Sequence, residues 1–246
     1  MANYVRCELE AKNCGKERFE QICEFVKSEK ILFDLDKIIP QPEELDIPEG
    51  SMNKFFKDLF MKYSDIDRHS LTEPFNMSDE EAMDILHSIT TQEFKQAQAL
   101  YGEFELPWEK IPDIAIAKLI VKRGWQYFHN RVTYFCETWY DWRRSHWETT
   151  RTSDIALLKD GLGWSFLVPW SAPCKPITVL SKIFPEVLFE LRYADKDLSD
   201  DGCGIVTFVD GGAQEIPFQK IDESFYLACR LWGLNPTEVI AEFDRD

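Results

Sequence analysis

The chain has 246 residues, enough for one elaborated domain with a sizeable core or a compact domain carrying an insertion. At 44% apolar and 14% aromatic, with eight Trp and eighteen Phe, it holds far too much buriable surface for a disordered, collagen-like or linker sequence. The formal charge of −16 opposes direct attraction to nucleic acid, because a protein that neutralises phosphates must be positive where it touches them.

No apolar run approaches the roughly 18 residues that a membrane-spanning helix needs. The opening Met1-Ala-Asn-Tyr-Val-Arg-Cys-Glu8 places charges where a signal peptide requires an apolar stretch, so a cytoplasmic protein is expected. Seven cysteines (Cys7, Cys14, Cys23, Cys136, Cys174, Cys203 and Cys229) contain no C-x-x-C pair and read as reduced, mostly core thiols. That spacing argues against a disulfide framework, a zinc site or an iron–sulfur cluster, and no cofactor or metal is expected. The charge is uneven. Residues 34–113 hold 19 acids against 7 bases and residues 183–246 hold 14 against 5, whereas residues 114–182 hold 10 bases against 5 acids. Two acidic stretches therefore flank a mildly basic, Trp-rich middle.

In chain order, Val5, Cys7 and Leu9 alternate with Arg6, Glu8 and Glu10, the pattern of a strand with one buried and one wet face. After the Asn13-Cys14-Gly15 turn, Phe19, Ile22, Cys23 and Val26 fall at helical spacing. Ile31, Phe33 and Leu35 then alternate again, which predicts a second strand ending at Pro40. Short helical patterns follow over Asn53–Tyr63 and after the capping box Ser78-Asp-Glu-Glu81, whose helix would carry Ala82, Ile85, Leu86 and Ile89. From Ile114 to Trp147 the helical period runs for about nine turns, as one long helix or two stacked ones, interrupted by Gly124. Strands are predicted through Ile155–Lys159, Trp164–Trp170 and Val187–Leu191, with a helix opening at Pro176 between the last two. Ile205–Val209 and Gln214–Phe218 form a hairpin about Asp210-Gly211-Gly212, and Asp222–Leu231 and Pro236–Phe243 close the chain as helices.

This order predicts an α+β protein of ferredoxin-like plan, a split βαβ antiparallel sheet with a large helical insertion and C-terminal helices. The sheet core would comprise residues 1–40 and 155–218, the insertion 41–154, and the C-terminal helices 219–246.

Several blocks carry a resemblance: Met1-Ala-Asn-Tyr-Val5, Phe33-Asp-Leu-Asp-Lys-Ile-Ile-Pro40-Gln-Pro-Glu-Glu44, Trp139-Tyr-Asp-Trp142, Pro169-Trp-Ser-Ala-Pro173, Leu180-Ser-Lys-Ile-Phe-Pro185 and Tyr193-Ala-Asp-Lys-Asp197. In these the chain resembles the YubB-type ferredoxin-like proteins of plasmids and bacteriophages. The family name describes a fold and implies no iron–sulfur cluster. The sequence departs from the family at His146–Ser153, where of the family's Asn-Trp-Gly-Thr-Lys-Trp-Asn-Ala only Trp147 and Thr149 are shared. What the resemblance implies is a mobile-element setting.

No catalytic signature emerges. Ser165 lacks a G-x-S-x-G context, Cys174 sits between prolines with no His near in sequence, and His69, His87, His129 and His146 have no metal-binding spacing. Gly161-Leu-Gly163 and Gly202-Cys-Gly204 precede strands where a phosphate cradle needs a helix, and Asp195-Lys-Asp197-Leu-Ser-Asp200-Asp201-Gly202 fails the EF-hand pattern at its central Gly and terminal Glu. Phe128, Val132, Phe135, Trp139 and Trp142 form a core-type stripe on the predicted long helix. Tyr140, Arg143, Arg144 and Trp147 would lie on its other, exposed face, a mixture enriched at binding hot spots. Replacing Arg143, Arg144 and Trp147 together is then expected to leave folding intact. The expected function is nonenzymatic: binding of a bacterial host protein, such as a nucleic-acid-binding defence component, as a counter-defence inhibitor of the anti-CRISPR or anti-restriction kind. The contact would be made by Tyr140, Arg143, Arg144 and Trp147, or by acidic nucleic-acid mimicry through Glu43, Glu44, Asp79, Glu80 and Glu81. The alternative is an enzyme or nucleic-acid-processing accessory protein with a site that sequence spacing does not reveal.

Overall fold

The computed structural model describes residues 3–63, 113–159, 161–198, 202–220 and 222–243, with isolated positions between 78 and 95. It is an α+β protein built on a six-stranded antiparallel sheet. The chain divides into two compact units, Met1–Gln41 with Arg143–Asp246, and Pro42–Trp142. Among the described residues, no helix is long and apolar enough to cross a membrane.

The first unit holds strands β1 (Tyr4–Lys12), β2 (Ser153–Leu157), β3 (Gly163–Pro169), β4 (Leu188–Asp195), β5 (Cys203–Val209) and β6 (Gly212–Glu215), in the order β2-β3-β1-β4-β5-β6. Strict alternation in β1 buries Val5, Cys7, Leu9 and Ala11. Helix α1 (Lys16–Val26) turns Phe19, Ile22 and Val26 inward, and the Phe19 ring lies 4.8 Å from that of Trp164. Between β3 and β4 runs the helix Cys174–Ile183, which buries Ile177 and Leu180. The opposite sheet face takes the helix Glu223–Trp232, whose Leu227, Ala228 and Leu231 cluster with Ala194 and Cys203. Arg230 pairs there with Glu8 at 2.8 Å. A last helix, Pro236–Phe243, follows. The β5–β6 hairpin turns through Asp210 and Gly211, both in the left-handed region at φ 47° and 76°, as a two-residue turn matched to strand twist requires.

The strand expected over Ile31–Ile39 does not form. Leu35–Lys37 is a 3₁₀ turn, with Phe33, Leu35 and Ile38 buried. Asp34 and Asp36 explain it: the Asp34 carboxylate accepts the Asp36 N–H at 3.1 Å and the Asp36 carboxylate accepts that of Gln41 at 2.8 Å. Such local bonds compete with a sheet ladder. The strand beside β3 is instead β2, which runs parallel to β1 with β3 between them.

In the second unit, α2 (Ser51–Tyr63) and α3 (Asp113–Tyr134) pack closely at Gly124, where a Cβ would stand 2.3 Å from Phe60 Cβ and 2.4 Å from the Phe56 carbonyl oxygen. Asn130, fully buried, donates to the Glu44 carbonyl at 2.8 Å and the Glu137 carbonyl at 3.0 Å, and the Tyr127 hydroxyl donates to the Pro48 carbonyl at 2.9 Å. The helical run from Ile114 to Trp147 is broken. Phe135 adopts φ 59° after α3, the Arg131 guanidinium donates to its carbonyl at 3.0 Å, and α4 (Trp139–His146) starts afresh. The expected stripe therefore splits: Trp142 is buried, but Val132 is 50% and Phe135 80% exposed. The three remaining described helices, Cys174–Ile183, Glu223–Trp232 and Pro236–Phe243, are α5, α6 and α7 in chain order.

Candidate functional site

The antiparallel register brings the start of β1 and the ends of β3 and β4 to one end of the sheet, with Val5 opposite Val168 on one side and Asp195 on the other. The start of α5 lies at the same end. A cleft of about 380 Å³ opens there, lined by residues that include Arg144, Glu148, Trp170, Cys174, Tyr193 and Asp195.

Each wall has a local cause. Trp170, just past β3, sits at φ 77° with its backbone N–H donating to the Asn3 carbonyl at 2.8 Å, which leaves the indole 38% exposed. The Arg144 guanidinium lies 5.1 Å above its ring centre. Glu148 is also left-handed, at φ 65°, and its carboxylate accepts the Lys175 N–H at 2.9 Å, capping the first turn of α5. The Lys175 ammonium in turn donates to the Ser145 carbonyl at 2.8 Å. Two non-glycine residues in this conformation at one cleft are the kind of backbone strain that gathers at binding sites. Tyr193 faces Gly204 across the β4–β5 pair, where an added Cβ would come within 2.6 Å of the Tyr193 hydroxyl oxygen, so only glycine admits this ring position. Asp195 is buried, its carboxylate receiving the Asn3 side-chain N–H at 3.4 Å.

Burial, with the charges of Glu148 and Glu215, pushes the Cys174 thiol up to about 12. Burial likewise raises Tyr193 to about 12, with Cys174 and Glu215 adding to it. At neutral pH Cys174 is thus a protonated thiol, the opposite of an activated nucleophile. The cleft offers aromatic surface, carboxylates and hydroxyls, a set suited to binding.

The face expected from Tyr140, Arg143, Arg144 and Trp147 is divided. Trp147 lies beyond α4 and is 3% exposed, its indole N–H donating to the Ile39 carbonyl at 2.9 Å. Arg143 is a brace, donating to Gln41 Oε1 at 2.6 Å and the Thr150 carbonyl at 3.1 Å, with its guanidinium 4.7 Å over the Trp147 ring. Tyr140 is half-buried with its ring edge-on to Trp139. Only Arg144 is exposed. The expectation that all three substitutions fall on the surface is therefore corrected: α4 is two turns long, and the chain leaving it turns inward at Glu148. Among the acids, Glu43 and Glu44 are exposed on the turn Glu43–Leu45, Asp79 is exposed and paired with Lys118, and Glu80 is exposed. Glu81, and most of the helix expected after it, lies outside the described residues, as do Asp200 and Asp201 of the Asp195–Gly202 loop.

Sequence spacing did not single out Trp170, Glu148, Tyr193 or Asp195 as a site. The available signal was a Trp bracketed by prolines directly after a strand, in Pro169-Trp-Ser-Ala-Pro173, where a large side chain is carried out of the ladder.

No family model and no curated protein matches this chain. Among solved structures it is similar to the crystal structure of a protein api92 from Yersinia pseudotuberculosis, of the family model DUF1281. The two share 13% identity over 90% of this chain and all of the other, at a TM-score of 0.39.

Proposed function

We propose that this protein is a nonenzymatic binding protein whose contact surface is the Arg144–Trp170 rim and the cleft behind it. The carrying observation is the exposed Trp170 ring, held left-handed at the cleft mouth beneath a guanidinium. Trp and Arg are among the residues enriched at binding hot spots, and Trp offers a large amphipathic area on only two rotatable side-chain bonds. The protonated Cys174 thiol favours binding over covalent chemistry. Two of the blocks that resemble YubB-type proteins, Pro169–Pro173 and Tyr193–Asp197, contribute Trp170, Tyr193 and Asp195 to the cleft. That resemblance supports a phage or plasmid protein whose partner is a bacterial host protein, with counter-defence as its setting and the cytoplasm as its place.

The ferredoxin-like reading belongs to the same proposal. It is supported by the partial order β2-β3-β1-β4, with α1 after β1 and α5 between β3 and β4, the arrangement of a split βαβ plan with the helical segment inserted before β2. In this reading β5 and β6 extend the sheet. Acidic mimicry is the weaker route, since Asp79 and Glu137 are already matched by Lys118 and Lys57.

Affinity capture from bacterial lysate with the native protein and with Trp170→Ala tests the proposal. A stoichiometric partner should be retained by the first and lost by the second, with affinity reduced by at least about 2 kcal/mol. Equal capture by both proteins would place the contact elsewhere, and no partner combined with turnover in a substrate screen would favour an enzyme.

A further inference from the structure

We propose that the protein self-associates by pairing its outer strand β6 with β6 of a second copy, so that two six-stranded sheets run on as one. The surface is separate from the Arg144–Trp170 rim and does not rest on it.

The two outer strands of the sheet are built differently. β2 breaks register between Ser153 and Ala156, and its Asp154 is left-handed at φ 49° with the carboxylate paired to Arg6 at 2.8 Å. Such irregularities stop an edge from adding a further strand. β6 has no such break. Its register with β5 is continuous from Val206–Glu215 to Val209–Gly212, and Gly212 to Ile216 are all exposed. The Ile216 N–H donates to the Ile205 carbonyl at 2.9 Å, and the alternation of an antiparallel ladder then turns the N–H and C=O groups of Ala213 and Glu215 away from β5.

An antiparallel pair of identical strands is self-complementary about a two-fold axis. With the axis at Gln214, Ala213 faces the second copy's Glu215 and Glu215 faces its Ala213, so every outward N–H and C=O on both strands is bonded. An axis at Glu215 would set like charges directly opposite each other, and one at Ala213 would leave the Glu215 groups against the Gly211 turn.

The side chains fit the Gln214 register on both faces. Glu215 shares a face with its buried partner Val206, the face that carries α5. There the Lys182 stem lies 3.5 and 3.6 Å from where a Gly211 Cβ would stand, over the hairpin turn. Glu215 of the same chain is four residues further along, about 13 Å away. The second copy's Glu215, opposite Ala213, is about 8 Å away on the diagonal and within reach of a lysine. On the other face Ile216, 39% exposed, comes opposite the second copy's Gly212 and, across that bare Cα, meets its Val209, 49% exposed. Symmetry removes both apolar side chains from water twice. Pro217 would face only the Gly211 turn, so its missing N–H costs no bond and ends the pairing. The interface is small, at the weak end of specific association. The formal charge of −16 on each copy opposes it at low salt and is screened at about 0.15 M, where the Debye length is about 8 Å.

Sedimentation velocity of the full chain, from about 5 to 500 µM at about 0.15 M salt, should show reversible dimerisation. Ala213→Pro removes an N–H that points away from β5, so the hairpin should stay folded, with an unchanged melting transition, while dimerisation weakens at least about tenfold. Glu215→Lys or Lys182→Glu alone brings like charges together and should weaken it roughly tenfold, and the two combined should restore it. Gln214→Cys puts a thiol on the axis and should yield a disulfide-linked dimer under mild oxidation that the native chain, with its seven cysteines, does not. A native chain that stays monomeric throughout would overturn the proposal and leave the edge for a strand of some other protein. A dimer indifferent to Ala213→Pro, one that the double charge exchange fails to restore, or a Gln214→Cys chain that does not cross-link would each overturn it by placing the contact elsewhere. If Ala213→Pro lowers the melting transition, the charge exchange and the cross-link decide in its place.

Discussion

The indole N–H of Trp147 donates to the Ile39 carbonyl at 2.9 Å, tying the chain that leaves α4 to the turn that precedes Pro40. The ring is almost fully buried. Trp147→Ala should destabilise the protein by about 3–5 kcal/mol, the usual cost of emptying an aromatic site. Trp147→Phe, which keeps most of the volume but orphans the carbonyl, should cost about 1–2 kcal/mol. Urea denaturation of both variants checks this. A Trp147→Ala protein as stable as the native one would return this residue to the surface.

Gly124→Ala separates two opposing effects in α3. Alanine favours a helix over glycine by about 1 kcal/mol. Its Cβ would meet Phe60 Cβ at 2.3 Å and the Phe56 carbonyl oxygen at 2.4 Å, and backbone cannot move aside cheaply. Overpacking of this kind costs about 1–3 kcal/mol or more, so net destabilisation is expected in a thermal melt.

Phe135→Gly runs the other way. The residue is 80% exposed at φ 59°, so little burial is lost and a conformation disfavoured for side chains is relieved. Stability should rise by up to about 1 kcal/mol, measured by urea denaturation beside the native chain.

Alkaline pH should unfold the protein earlier than its strands and helices alone suggest. Tyr127, raised to about 12 by burial above all, and Tyr193, also about 12, exceed the ordinary tyrosine value near 10. Above that ordinary value the unfolded chain loses its protons while the native one keeps them. The unfolded state then binds fewer protons, and stability falls with pH until the native groups titrate too. The contribution is complete below about pH 9 and declines between about pH 10 and 12. Melting temperature against pH should show this decline, and Tyr127→Phe should flatten it.

Cys174 gives a chemical readout of the same cleft. Held at about 12, its thiol should react with iodoacetamide at pH 8 far more slowly than free cysteine. Removing the negative charge in Glu148→Gln favours the thiolate and should speed alkylation, read by mass spectrometry of the Cys174 peptide. Burial remains the main cause, so the acceleration should be modest.

The local pattern of the sequence determined the elements whose burial is strictly periodic. The alternation from Val5 to Leu9, the helical spacing of Phe19, Ile22 and Val26, and the Asp210-Gly211 turn each follow from the neighbours of one residue along the chain. The same alternation at Ile31, Phe33 and Leu35 misled, because Asp34 and Asp36 capture backbone N–H groups that a strand would need. Where the helical run breaks at Phe135, and hence that Trp147 turns inward while Arg144 stays out, was decided by packing. The cleft is a tertiary product altogether. Alternation says which face a side chain takes but not which strand lies beside it, and it was the pairing of Val5 with both Val168 and Asp195 that brought Trp170, Tyr193, Asp195 and Glu148 to a single end of the sheet.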